Sequence, residues 1–183
     1  MLRTLPQTRD HSLLIRLAGI AVFTLLMIAS AKMKIEIGLP VPFTMQVFAV
    51  LLAGMVLGAR DGAASMIGYL GLIAIGLPFD ARGLGAVALF GPTGGFLIGF
   101  VAAAFIAGYL VERAGARLWQ RWLAGVVAIV TIYSFGVVFL SLYMGMDLQA
   151  AWAAGGAPFF AVDIAKAIIA AGLMETGRSL LMR

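Results

Sequence analysis

The chain alternates long apolar runs with short polar links, and no other property narrows its fold so far. The runs cover about residues 13–31, 43–58, 62–77, 87–111, 123–144 and 158–173. A helix needs about 20 apolar residues to cross the hydrocarbon core of a bilayer, with roughly 17 as the lower end. Some runs reach that length and others fall just short, so the short ones need little tilt or shelter from neighbours. Of 183 residues, 63% are hydrophobic and 11% charged, whereas roughly a quarter of a soluble domain is charged. A soluble fold has too little interior for this much apolar surface, so the remainder must face lipid. The expected fold is an all-α integral membrane protein, a single transmembrane domain built as a six-helix bundle. An ordinary soluble enzyme, a disordered chain and a nucleic-acid binder are excluded.

Six spans put both termini on one side of the membrane. With the termini inside, that side carries Arg3, Arg9, Arg16, Arg60, Arg113, Arg117, Arg121, Arg178 and Arg183. The other side carries Lys32, Lys34 and Arg82. Basic residues concentrate in cytoplasmic links, so both termini are expected in the cytoplasm and the chain in the cytoplasmic membrane. The same rule accounts for the net charge of +5 without nucleic acid. Trp119 and Trp122, among Arg113, Arg117 and Arg121, read as an interfacial anchor.

The links are uneven. Residues 32–42 hold three charges and two prolines and read as a loop. Residues 76–85 form a glycine-rich loop carrying Asp80 and Arg82. Pro92 interrupts the fourth run, which either kinks there or begins as a helix only near Thr93. Residues 145–157 read as a loop. Small residues recur four apart at Gly54 and Gly58, Ala64 and Gly68, Gly95 and Gly99, Ala104 and Gly108. Such pairs let helices approach closely, either within the bundle or against another membrane subunit.

Catalytic chemistry has little to work with. There is no cysteine, and the one histidine, His11, lies in the polar N-terminal segment. A thiol nucleophile, a thiolate metal site and a Ser–His–Asp arrangement are therefore not expected. No phosphate-binding loop with its lysine is present, so ATP is not bound by that route. No cofactor is expected, and the chain is not expected to be an enzyme.

Two charges stand where an apolar run should have none. Asp163 and Lys166 lie within the sixth run, three residues apart, and share one helix face. Unpaired, each costs roughly 2.5–3.5 kcal/mol near the bilayer centre. They are either a structural pair that neutralises itself or the polar wall of a ligand site. Asp163 supplies acceptors and Lys166 donors, so a ligand with adjacent N–H and C=O groups, such as a urea or amide, would satisfy both. Arg82 is a second candidate, because a guanidinium grips a carboxylate with two parallel bonds. Its alternative is a solvated loop charge or a pair with Asp80. Tyr69 and Gln46 are either an interhelical hydrogen bond or part of the same pocket.

Four segments in order carry a resemblance. They are Val41-Pro42-Phe43-Thr44-Met45-Gln46, Gly76-Leu77-Pro78, Gly91-Pro92-Thr93-Gly94-Gly95-Phe96 and Asp163-Ile164-Ala165-Lys166-Ala167. Together, from about residue 40 to 171, they resemble the BioY family, the biotin-binding S components of energy-coupling-factor (ECF) transporters. The resemblance implies a six-helix S-component fold and biotin capture at the outer side. It implies a separate transmembrane T component and two ATPase subunits, which alone would use ATP, although some family members occur without a dedicated energy module. It implies that Asp163 and Lys166 contact biotin, that Arg82 is the family's loop arginine, and that a polar contact of the third helix falls at Tyr69. On that reading Asp163 accepts from a ureido N–H, Lys166 donates to the ureido oxygen, and Arg82 takes the valerate carboxylate or closes the loop above it. The 32–42 loop then serves as a lid. The first run lacks the alanine pair four apart that S components often use to meet the T component. A stand-alone secondary transporter, an S component for another small vitamin and a ligand-free membrane scaffold are the alternatives.

Overall fold

The computed structural model describes residues 13–113 and 117–181, with side chains described up to Thr176. Arg3, Arg9, His11, Arg183 and the side chain of Arg178 lie outside the described residues, and with them much of the basic-residue asymmetry. Helices α1 (Leu13–Lys32), α2 (Gln46–Leu57), α3 (Ala59–Ala74), α5 (Gly94–Arg113), α6 (Leu118–Met144) and α8 (Ala157–Leu181) make up the bundle. Two short helices, α4 (Val87–Phe90) and α7 (Leu148–Gly155), lie in the links. Strands β1 (Lys34–Ile35) and β2 (Phe43–Thr44) pair antiparallel, with Lys34 opposite Thr44 and Ile35 opposite Phe43. Among the described residues, α1, α5, α6 and α8 contain stretches long and apolar enough to cross a membrane. Helix α2 is apolar but shorter.

The burial pattern follows the composition of each helix. Helix α2 is buried nearly all round, from Gln46 to Leu57, as expected for an apolar helix without a polar stripe at the centre of a bundle. It packs against α1, α3, α5 and α8, while α5 also packs against α3 and α6. Helix α1 lies at the edge and buries only Thr24, Met27, Ser30 and Ala31. Its remaining apolar surface, including Leu14, Val22 and Leu25, is exposed and suits lipid rather than water.

Small residues bring the central helices together. A Cβ on Gly54 would meet the carbonyl of Ala104, and one on Gly108 would meet the backbone of Gly58 and Ala59. Gly95 and Gly99 lie against Phe139, Phe135 and Ile132 of α6. These spacings serve contacts inside the bundle. Gly58, at φ +84°, alone separates α2 from α3, and the Glu112 carboxylate accepts from the next amide, Ala59 N, at 3.0 Å.

Several boundaries differ from the hydropathy reading. Helix α3 begins at Ala59, because Arg60 and Asp61 fit its first turn. Asp61 faces the helix N-terminus, where negative charge is favoured, and binds Arg16 of α1 at 2.6 Å. Helix α6 begins at Leu118, so Trp119, Arg121 and Trp122 are helical. The fourth run is two helices: Gly91, Pro92 and Thr93 break the chain, and α5 starts at Gly94. The 145–157 link contains α7, capped where Asp147 Oδ1 accepts from Ala150 N at 2.7 Å. The 32–42 link is not free loop, since β1 and β2 fold it back across the end of the bundle. Residues 33–45 are called the strap below.

Candidate functional site

Beneath the strap lies a cavity that is partly open to solvent. The strap and the first residue of α2 form one wall, and the 80–84 loop forms the rim. Helices α5, α6 and α8 close the rest, with Phe96, Phe100, Ile132 and Phe159 supplying apolar lining. A shape that is mostly apolar with a few converging polar groups is the usual form of a small-molecule site.

Asp163 and Lys166 both line this cavity, and the structure joins them. Lys166 Nζ donates to Asp163 Oδ1 at 2.7 Å, and the two residues are 5% and 2% exposed. The helical spacing of three sets the pair, and burial makes it necessary, since either charge alone would be stranded away from water. Each group has one further partner. Tyr133 of α6 donates its hydroxyl to Asp163 Oδ2 at 2.6 Å. Lys166 Nζ donates to the carbonyl of Thr44 in the strap at 2.8 Å. The ammonium also lies 4.2 Å from the centre of the Phe43 ring. Both Asp163 oxygens keep a lone pair beyond these bonds, and Lys166 keeps a third N–H.

Tyr133 is a polar group of the cavity lining that the sequence reading missed. Its ring meets Phe96, Trp152 and Phe160 edge-on at 6.0, 5.6 and 5.6 Å, which fixes the hydroxyl against Asp163. The available signal was a phenol inside a long apolar run. Such a group needs a buried partner, and a lone carboxylate in another span is one.

Arg82 lies at the rim, half-buried, and holds the strap. Its Nη2 donates to the Leu39 carbonyl at 3.2 Å, and its Nε lies 3.8 Å from Glu36. Arg82 does not use its guanidinium on Asp80. The buried Asp80 carboxylate instead accepts from the backbone amides of Arg82 at 2.9 Å and Gly85 at 2.8 Å. Lys32, at the end of α1, ties down the same loop through the carbonyls of Pro78 at 2.6 Å and Asp80 at 2.8 Å. Glu36 is half-exposed. Its hydrogen bond to the Lys34 ammonium at 2.6 Å, and the attraction between the two charges, hold its carboxyl below the usual range; Arg82 adds a smaller pull.

Tyr69 is fully buried in α3 and is not part of the cavity lining. Its hydroxyl accepts from Gln46 Nε2 at 2.9 Å and donates to the Phe79 carbonyl at 3.3 Å. Gln46 does line the cavity, and Thr44 Oγ1 donates to its Oε1 at 3.2 Å. Tyr69 therefore stands behind Gln46 and links it to the Arg82 loop. Asp163, Lys166, Arg82 and Gln46 meet around one space, with Tyr69 one residue removed. No group of three or more metal-ligating side chains occurs among the described residues.

Comparison with known proteins adds the family. The model of the BioY family matches residues 4–183. A relative from Thermotoga maritima named biotin transporter BioY is 40% identical over 151 residues, covering 82% of this chain and 88% of the relative. Another of the same name from Rhodobacter capsulatus is 37% identical over 164 residues, covering 82% and 86%. A crystal structure of the S component for biotin from an ECF-type ABC transporter superposes with a TM-score of 0.84 at 25% identity. It covers 91% of this chain and 92% of its own.

Proposed function

The chain belongs to the BioY family, and from that premise we propose that it captures biotin in the cavity beneath the strap and serves its uptake across the cytoplasmic membrane. The observation that carries this reading is the buried Asp163–Lys166 pair, which lines the cavity with an acceptor and a donor side by side. A ureido ring presents N–H and C=O groups next to each other. Asp163 accepts from a ureido N–H, Lys166 donates to the ureido oxygen, Tyr133 holds the Asp163 carboxylate in place, and the apolar walls cover the thiophane ring. Arg82 takes the valerate carboxylate at the rim.

In this reading the chain is a single domain of six spans, α1, α2, α3, α5, α6 and α8, with both termini in the cytoplasm. The short α2 is tolerated because protein surrounds it, and a buried helix need not match the bilayer. The chain is a transporter component and not an enzyme. It acts as the substrate-capture subunit of an ECF-type transporter, in which a transmembrane T component and two ATPase subunits supply the energy. Support comes from the S-component fold match and the relatives' names.

Thermal melting of the detergent-purified protein with biotin, desthiobiotin, thiamine and riboflavin tests the assignment. A ligand that binds only the folded state adds RT ln(1 + [L]/Kd), about 4 kcal/mol at a thousandfold excess over Kd. Stabilisation by biotin and none by thiamine or riboflavin is expected. Folded protein that responds to none of them refutes it.

A further inference from the structure

Lys166 makes a contact at the cavity wall that a ligand would compete with. Its ammonium carries three N–H groups. Two go to Asp163 Oδ1 and the Thr44 carbonyl, and the ammonium lies over the Phe43 ring, 4.2 Å from its centre. A ring at that distance attracts a cation through its π face, and the attraction is strongest where water is absent. Lys166 is 5% exposed, so the contact is desolvated. Phe43 also lines the cavity, so its ring faces the space where a ligand would lie.

Resting on the biotin assignment above, we propose that Phe43 is a placeholder for the ligand: its ring occupies the third donor direction of Lys166 until the ureido oxygen displaces it. A carbonyl oxygen bonded to an ammonium is a stronger partner than a ring face, so the exchange is favourable when the ligand arrives. Without the ring, the third N–H would point into an apolar space with no acceptor, which is costly for a buried charge. Phe43 lies on β2, paired with Ile35 of β1, and its ring tilts against Phe159 of α8 at 6.1 Å. Phe43 therefore joins the deep site to the strap, the segment that Arg82 holds at the rim. Phe43 acts through Lys166 and is a positioning residue.

The sign of one affinity change tests this. Phe43→Leu keeps an apolar side chain and removes the π face, so biotin no longer competes with the ring for Lys166. Biotin should bind about tenfold more tightly, which corresponds to about 1.4 kcal/mol. Pentafluorophenylalanine at position 43 keeps the ring's shape and reverses its charge distribution. It should tighten binding too, and it guards against a packing defect in the leucine variant. Calorimetric titration of wild type and both variants with biotin reads the result. Weaker or unchanged binding in both variants, with wild type binding biotin, would mean that Phe43 only packs on the ligand and would overturn the proposal. Wild-type protein that bound no biotin would overturn the biotin assignment, and this inference with it.

Discussion

Removing Lys166 alone should harm the fold more than removing both charges of its pair. In wild type the Asp163 and Lys166 side chains are 3% and 6% exposed and 2.7 Å apart. Lys166→Met keeps the length and apolar stem but leaves Asp163 as a buried carboxylate held only by the Tyr133 hydroxyl. Breaking a buried pair from one side costs about 3–5 kcal/mol, because the remaining charge is uncompensated. The Thr44 carbonyl loses its donor as well, which adds about 1–3 kcal/mol if no water replaces it. The double variant Asp163→Asn, Lys166→Met removes the stranded charge and keeps an acceptor for Tyr133. It should recover most of the first term and none of the second, and so be about 2–4 kcal/mol more stable than Lys166→Met alone. Both variants should lose biotin binding, since each lacks the ureido-oxygen donor. Thermal melting in detergent ranks the stabilities, and calorimetry with biotin reads the binding. A double variant no more stable than Lys166→Met would refute the claim that the pair is electrostatically coupled. Biotin binding retained by the double variant would refute its role in recognition.

Tyr133→Phe removes a hydrogen bond to a charged group at 2.6 Å; it should lower stability by about 1.5–3 kcal/mol and weaken biotin binding, and unchanged melting and titration would count against the positioning role. Arg82→Gln should weaken biotin strongly and biotin methyl ester little, because only the free acid presents a carboxylate to the guanidinium; equal losses for both ligands would remove Arg82 from carboxylate recognition. Protonation of Glu36 should loosen the strap. Its folded pKa lies below its unfolded value, so its stabilising effect is complete above the ordinary glutamate range and lost as pH falls through the lowered value. Once corrected for the intrinsic amide rate, which itself falls on acidification, the protection of residues 33–45 should therefore drop as pH falls, by a small amount because the pair is exposed, and Glu36→Gln should remove that change in protection.

The helices and the site were not equally legible in the sequence. Hydropathy located every long helix, because lipid-facing surface leaves a strong compositional mark even where exact ends shift. The Asp163–Lys166 pair was equally visible, since a charge in an apolar run has few explanations. Other features depend on contacts distant in sequence, and local patterns do not record them. Lys166 and Thr44 are separated by 122 positions, and the acceptor is a backbone carbonyl that any residue would supply. The strap's pairing needs only two residues on each side, too few for a periodic signal. Helix α7 was readable in part: Asp147 followed by Leu148 is an N-cap before an apolar, alanine-rich stretch, but a helix of 8 residues is too short to show a clear period. Tyr69 shows the reverse case. Its buried hydroxyl had to have a partner, and the sequence left open whether that was a ligand or a helix; its contacts in the structure are with Gln46 and Phe79.

The proposed orientation of biotin rests on the charge distribution around the cavity. Two carboxylates, Asp163 and Asp80, and two cations, Lys166 and Arg82, line it. Asp163 is neutralised directly by Lys166, so a second carboxylate brought there would face a buried negative charge at close range and need a proton to stay. Asp80 is satisfied differently. Its two oxygens take the amides of Arg82 and Gly85, which leaves the Arg82 guanidinium for other partners. Those partners are the Leu39 carbonyl and Glu36, the latter half-exposed and 3.8 Å away. An exposed pair at that distance is worth little and exchanges readily. An incoming carboxylate can therefore take Arg82 at small cost, whereas at Lys166 it would lie against the buried Asp163 charge. A ligand that is neutral and hydrogen-bonding at one end and anionic at the other fits only one way round, with its urea at the deep pair and its carboxylate at the rim. The same arrangement makes the rim contact double-edged: a carboxylate that wins Arg82 releases Glu36, and with it one of the ties that hold the strap.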